Sequence, residues 1–139
     1  MSNGLTDAAI NEVLNHMFAT GTYSKPTGHK LHLYKGDPHA AGAEVSVTVD
    51  DTAYAAQTIT FEDEGDTTNN RLYNDLAATF AAVVYGTGAS AYDVTHWAIK
   101  DGSANVMAAG AMPVTVNRVT GEPLVFSIGA IYIELARTP

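Results

Sequence analysis

Histidine is the residue type in this sequence best suited to bind a metal or to act as a base near neutral pH. Five histidines are present. His29 and His32 are three positions apart, and such positions face opposite sides of an extended strand, so the pair forms a poor chelate. His96 precedes the single tryptophan, Trp97, and lies on the opposite face of a predicted strand. We therefore interpret His96 as a surface or interface residue rather than as a catalytic base.

Acidic residues cluster in one loop, where Glu62, Asp63, Glu64 and Asp66 offer the oxygen ligands that Ca²⁺ takes. An EF-hand loop counted from Asp63 lacks the acidic ligand at its twelfth position, so the sequence favours a solvated loop without a cofactor. The pair Asp50-Asp51 has no surroundings that indicate a raised pKa for acid–base work on a glycan. With no cysteine and no nucleophilic serine motif, the sequence predicts a protein that is not an enzyme.

A glycine-rich stretch, Gly86 to Ala91, has the form of a dinucleotide-binding loop. That motif requires a helix N-terminus to meet the pyrophosphate and an acidic residue about 20 positions later. A strand-like run, Tyr92 to Ile99, follows immediately instead. The stretch is therefore predicted to be a flexible loop that binds no cofactor.

Composition excludes several classes of protein. The 139 residues carry a net charge of −8, whereas a nucleic-acid-binding protein needs a basic surface. No apolar window is long enough to span a bilayer. Residues 1–7 lack a basic n-region, so we expect no signal peptide. The length fits one domain over residues 1–139.

Residues 2–20 carry the one clear helical pattern in the sequence. Thr6 and Asp7 are suitable capping residues at its start, and Gly21 is placed to end it. The apolar residues follow the spacing of a single helical stripe: Ile10, Val13, Leu14, Met17 and Phe18. This N-terminal helical segment, residues 1–21, packs either on the domain's own sheet or on a neighbouring subunit. Val13, Met17 and Phe18 are the candidate interface residues, together with His96.

The stretch from Asp93 to Gly102 predicts the central hairpin of the fold, with a return strand from Val106 to Met112. Trp97 and Ile99 fall on one face and are predicted to lie in the core. Asp101-Gly102 is a strong signal for a tight turn.

Short alternating runs predict a mainly β fold. The predicted strands are Leu31–Tyr34, Val45–Val49, Tyr54–Phe61, Asp75–Phe80, Tyr92–Ile99, Val106–Met112, Val114–Val116 and Leu124–Ala136. Residues 72–85 also fit a helix, and the assignment of 75–80 to a strand depends on the surrounding strands. Phe61 and Phe126 are placed on inward faces. The apolar phase changes within the last strand, which predicts a bulge at Gly129. About seven or eight strands with one helix indicate an antiparallel β-sandwich, jelly-roll-like or Ig-like.

Several stretches in order resemble a family of small tailed-bacteriophage tail-fibre-like virion proteins. They are Leu14–Phe18, Lys25–Thr27, Leu31–Pro38, Gly42–Val45, Tyr54–Gln57, Val94–Ile99 and Val116-Asn117. The threonine-histidine-tryptophan phrase, residues 95–97, is the best marker. The sequence departs from the family pattern at 50–53 and 117–122, and residues 72–85 are longer and richer in alanine.

The resemblance implies a non-enzymatic structural protein of the virion, made in the host cytoplasm. It also implies assembly with copies of itself, as a homotrimer, and with other virion proteins of the tail or capsid. A capsid decoration or cement protein of the phage head is the alternative within this class. A carbohydrate-binding module is the alternative from another class, and it would bind host glycans through exposed aromatic rings. The exposed-ring candidates are Tyr23, Tyr34, Tyr54, Tyr85 and Tyr92.

Overall fold

The structure is a computed structural model, and it describes residues 4–19, 24–63 and 71–134. This part of the chain forms one α-helix, α1 (Asp7–Phe18), a 3-10 turn (Pro38–Ala40) and ten strands. The strands are β1 (Gly4–Leu5), β2 (Lys30–Tyr34), β3 (Gln57–Thr58), β4 (Phe61–Asp63), β5 (Arg71–Asn74), β6 (Ala78–Phe80), β7 (Tyr92–Lys100), β8 (Val106–Arg118), β9 (Leu124–Phe126) and β10 (Tyr132–Glu134).

The strands form three antiparallel sheets around an apolar core. The largest has the order β1-β8-β7-β2-β3, and the smaller two have the orders β10-β5-β4 and β6-β9. Leu33 and Trp97 from the large sheet share one buried cluster with Phe80 and Phe126 from the sheet β6-β9. Ile133 of β10 packs against the same cluster. The predicted mainly β, antiparallel, sandwich-like fold with one N-terminal helix is therefore confirmed.

The central hairpin is formed by β7 and β8, as predicted, and Leu33 of β2 pairs with Trp97 on the other side of β7. Its turn differs from the expected two-residue turn at Asp101-Gly102. The loop spans residues 101–105, and the residue with positive φ is Ala104, at 64°. The Asp101 carboxylate accepts hydrogen bonds from the backbone N–H groups of Ser103 and Asn105, which stabilises this longer turn.

A bulge interrupts the pairing of β7 with β8. The register passes from Val94–Val116 to His96–Ala111, so that residues 112–115 of β8 lie opposite a single residue, Thr95. The bulge lets Val94 and Trp97 both face the core although they are three positions apart. It also lets β8 continue through Val116, which the sequence pattern assigned to a separate strand.

The predicted single strand from Leu124 to Ala136 is wrong. β9 and β10 belong to different sheets, and the chain turns between them at Gly129, whose φ is 77°. The buried side chain of Asn74 organises this turn, since its oxygen accepts from Ile131 N–H and its amide donates to Ser127 C=O. The change of phase seen in the sequence thus marks a change of sheet rather than a bulge. Residues 135–136 lie outside the described part of the chain.

Two further strand predictions are corrected. Val45–Val49 does not form a strand, because residues 47–50 turn, with the Asp50 carboxylate accepting from the Ser46 N–H. The predicted strand Tyr54–Phe61 is divided into β3 and β4, with the buried Ile59 between them.

Residues 72–85, which fit either a helix or a strand in the sequence, include no helix. They contain the end of β5 and the whole of β6, so Ala78–Phe80 is strand while residues 75–77 connect the two.

Helix α1 is shorter than the predicted span of 2–20. Thr6 is its N-cap, as expected, and its hydroxyl accepts from Ala9 N–H while donating to Val106 C=O. The helix ends at Phe18, with Ala19 as its C-cap. The predicted stop at Gly21 lies outside the described residues. The Thr6 side chain therefore both starts the helix and fixes it beside β8.

Candidate assembly surfaces

The apolar stripe of α1 is largely exposed to solvent. The exposed fraction rises along the helix, from 38% at Ile10 through 47% at Leu14 and 63% at Met17 to 78% at Phe18. We call these four residues the outer stripe. Large apolar side chains in a row on one helical face are the pattern by which helices contact other protein surfaces.

The other edge of the same apolar arc packs on the chain itself. Ala9 is buried and Val13 is half-buried. Both line a cavity of about 440 Å³ between α1 and the sheets, which Leu5, Phe61 and Ile133 also line. The chain thus covers the Ala9–Val13 edge of the helix and leaves the outer stripe open.

The residues predicted to be structural lie in different places. Trp97, Ile99 and Phe126 are buried in the core, with Trp97 only 2% exposed. Phe61 is half-buried and packs against that core. Gly129 lies in the exposed turn between β9 and β10.

The predicted interface residue His96 is separate from α1. It is half-buried in β7, where its Nδ1 lies 2.8 Å from the Thr95 hydroxyl, and it pairs with Tyr34 of β2 and Ala111 of β8. Met17 and Phe18 lie on the exposed outer stripe of α1, whereas Val13 lies on the edge of the helix that packs on the chain itself.

A cluster of polar side chains lies beside β2, around Glu44. Its carboxylate contacts the His32 ring, the Lys100 ammonium and the Tyr54 hydroxyl. Burial raises the pKa of Glu44, but hydrogen bonds and charge attraction from His32 and Lys100 outweigh burial and lower this pKa to about 2. Burial raises the pKa of Tyr54. These groups satisfy one another, which is typical of a structural network.

A second polar network is fully inside the protein, and sequence reasoning did not identify it. Asp51 is 1% exposed, and its carboxylate accepts from the N–H groups of Ala53 and Val84 and from the Tyr92 hydroxyl. Burial raises the pKa of Tyr92 to about 12. Arg118 is also buried and donates to the carbonyls of Ala81 and Glu122. The network joins the turn at residues 50–53 to β7, β8 and the segment that follows β6.

The glycine-rich loop is bound to the turn at residues 48–50. Gly86, Thr87 and Gly88 donate their backbone N–H groups to carbonyls of Asp50, Thr48 and Val49 respectively. A Cβ at Gly86 would lie 2.3 Å from the Thr48 carbonyl oxygen, so close backbone approach requires glycine here. The loop's amides therefore bond to protein rather than point toward a phosphate.

The structure gives little support to ligand binding by the other candidate groups. Among the described residues, no three histidine, aspartate or glutamate side chains are grouped to hold a metal. Glu64 and Asp66, half of the candidate Ca²⁺ set with Glu62 and Asp63, lie outside those residues. Of the aromatic candidates for glycan stacking, Tyr34, Tyr54 and Tyr92 are buried and Tyr85 is half-buried, whereas Tyr23 lies outside the described part.

Comparison with known proteins gives one family. The model of the family described as Podophage GP4 fiber I protein gp80 matches residues 4–134. No curated protein matches the chain. Within the described ranges, no helix is long and apolar enough to cross a bilayer.

Proposed function

The chain belongs to the family of podophage GP4 fiber I protein gp80, and on that premise we propose that it is a non-enzymatic fibre protein of a phage particle. It acts by assembling with copies of itself, as a homotrimer, and by docking on other virion proteins. The family match over residues 4–134 is the observation that carries this proposal.

The outer stripe of α1 supports assembly as the mode of action. A monomer leaves Leu14, Met17 and Phe18 exposed to water, whereas burying each such side chain in a contact contributes about 1.5–3 kcal/mol of favourable free energy. A net charge of −8 keeps the protein soluble and opposes non-specific contact. Contacts with partners then depend on defined apolar surfaces.

Residues 1–139 act as one domain in this proposal. The buried core contains side chains from the large sheet and from the sheet β6-β9, and strands of the third sheet pack against it. We therefore expect the three sheets to unfold together. In this proposal the protein is a component of the virion tail.

Immunogold labelling of intact particles tests the location. An antibody to this chain is applied to purified particles, with particles lacking the gene as the control. Gold on the tail or its tip is the expected result. Gold spread over the head would instead indicate a capsid decoration protein. Particles without gold would contradict the assignment to the virion.

Light scattering tests the assembly state. The expected molar mass is three times the chain mass of 14.6 kDa, for the purified protein and for protein released from particles. A mass equal to one chain in both preparations would exclude the homotrimer.

Screening host-surface glycans on the same samples tests the carbohydrate-binding alternative, which the buried tyrosines disfavour.

A further inference from the structure

The cavity beneath α1, which we call the helix cavity, is larger than the gaps that ordinary side-chain packing leaves. It measures about 440 Å³, whereas protein interiors hold few voids larger than a water molecule. α1 forms one wall, and strands of the large sheet and of the sheet β10-β5-β4 form the others. Clefts that bind small molecules typically measure about 300–1,000 Å³. A helix and two sheets therefore enclose a space of the size of a ligand site.

The floor of the helix cavity is apolar and buried. Ile59, Ile99 and Ala108 are each at most 2% exposed, and Ala9 of α1 is 4% exposed. The alanines leave the space open, since a larger side chain at either position would occupy part of it. Water on such a floor finds few hydrogen-bond partners, so an apolar molecule replaces it favourably. The floor therefore suits a hydrocarbon group.

The mouth of the helix cavity carries positive charge. Lys25 is exposed and His29 is half-buried, and within the described residues they are the only ionisable side chains that line the cavity. The His29 carbonyl accepts from the Ile59 N–H at 3.3 Å, so this segment lies directly beside the floor. The whole chain has 15 acidic and 7 basic residues. A lining with two basic groups and no described carboxylate therefore departs from the composition of the chain.

We propose that the helix cavity binds a small amphiphile with an anionic head, of the class of medium-chain fatty acids. The hydrocarbon chain lies on the floor, between α1 and the two sheets. The carboxylate lies at the mouth, where it accepts hydrogen bonds from the Lys25 ammonium and from a ring N–H of His29. Such charge-assisted bonds are stronger than neutral ones. The site is separate from the outer stripe, and the proposal does not depend on the fibre assignment.

Local charge selects the head group. The net charge of −8 opposes an approaching anion, but at physiological ionic strength exposed charges more than about 8 Å apart are largely screened. The Asp101 carboxylate interacts with His29 from outside the cavity lining. Lys25 forms no ion pair with a carboxylate of the described residues, so its charge is available to a ligand. A cationic head would be repelled by the same lysine, and a neutral head would gain no charge attraction.

Titration calorimetry on the purified full chain tests the ligand class. Octanoate, nonanoate and decanoate are compared below their micelle concentrations, and the Kd should fall by about fourfold for each added methylene that the cavity buries. Octanoate should bind more tightly than 1-octanol, and octyltrimethylammonium should bind most weakly. Absence of saturable binding at millimolar decanoate, or equal binding of the cationic amphiphile, would overturn the proposal.

Filling the floor tests the location. Ala9→Leu adds a side chain inside the helix cavity and should weaken decanoate binding by about tenfold or more, while the unliganded fold is retained or stabilised. Val13→Phe, at a half-buried position that lines the same cavity, is the second variant should Ala9→Leu fail to fold. Ala8→Leu is the matched control at an exposed position outside the lining, and it should change the Kd by less than about twofold. Equal losses from Ala8→Leu and Ala9→Leu would place the amphiphile on the helix surface and overturn the proposal.

Removing the charge at the mouth tests the head-group contact. Lys25→Met should weaken octanoate binding by about threefold to fivefold and leave 1-octanol binding within about twofold. Lys30→Met removes the same charge from an exposed position outside the lining, and it should leave both ligands within about twofold. Equal losses of octanoate binding in the two variants would mean that only net charge matters. Equal losses of octanoate and 1-octanol binding in Lys25→Met would mean that Lys25 does not contact the carboxylate.

Discussion

Helix α1 and strand β7 both carry large apolar side chains, but the structure places them in opposite environments. Phe18 of α1 is 78% exposed, and Trp97 of β7 is 2% exposed. β7 is paired on both sides, with β2 and with β8, whereas the outer stripe of α1 is largely exposed to solvent. Large apolar side chains therefore have two different roles in this protein. Buried side chains of β7 stabilise the fold, and exposed side chains of α1 are available for assembly.

Replacing Trp97 with alanine should have the largest effect on stability. The side chain is enclosed in the core, so its loss leaves a cavity, and we expect the free energy of unfolding to fall by about 4–5 kcal/mol. Urea unfolding followed by far-UV circular dichroism measures this, since the variant has no tryptophan to report by fluorescence. Trp97→Phe is the milder control. A loss below about 1 kcal/mol for Trp97→Ala would contradict the burial of this ring.

Removing the Asp51 carboxylate should have the next largest effect. Asp51→Ala leaves two backbone N–H groups and the Tyr92 hydroxyl without their acceptor inside the protein, and we expect a loss of about 3 kcal/mol. Tyr92→Phe removes one of the three donors and should cost about 1 kcal/mol. The two variants are compared by urea unfolding at pH 7. Equal effects would mean that the backbone bonds of Asp51 contribute nothing.

Elements encoded by neighbouring residues were predictable from the sequence. The Thr6 cap, the apolar spacing of α1 and the alternation around Trp97 are local patterns, and the structure has a capped helix and a central hairpin at these positions. The core position of Trp97 and the candidate interface residues of α1 follow from the same patterns. The exposure of the α1 residues was not predictable, because an apolar stripe has the same sequence pattern whether it packs on its own sheet or on a partner.

Features that depend on distant residues were not predictable. The turn between β9 and β10 is organised by Asn74, which lies 57 positions before Ile131. The role of Asp51 likewise depends on Val84 and Tyr92, far along the chain. The bulge at Thr95 left a local signal, since Val94 and Trp97 are both apolar and three positions apart. That signal is of the same kind as the change of phase near Gly129.

Acid should destabilise the fold by protonating Glu44, which contacts β2 and β7. The folded pKa of about 2 is below the ordinary value of 4.5, so this carboxylate stabilises the fold above pH 4.5 and loses that contribution as the pH falls toward 2. After allowance for its partial exposure, we expect a contribution of about 1–2 kcal/mol. Glu44→Gln should flatten this part of the stability–pH curve. An unchanged curve would contradict the role of the Glu44 contacts with His32 and Lys100.

The outer stripe should show the smallest effect on folding and a large one on assembly. Phe18→Ser removes an exposed ring, so the free energy of unfolding of the dilute monomer should change by no more than about 0.5 kcal/mol. Phe80→Ser, a change of the same residue type at a buried site, should cost about 3–5 kcal/mol. Light scattering should show Phe18→Ser as monomer at concentrations where the unmodified chain assembles. Because assembly adds concentration-dependent stability, the comparison is made in dilute and in concentrated samples. A loss above about 2 kcal/mol for Phe18→Ser in dilute solution would mean that the stripe packs on its own chain, and the contrast between α1 and β7 would fail.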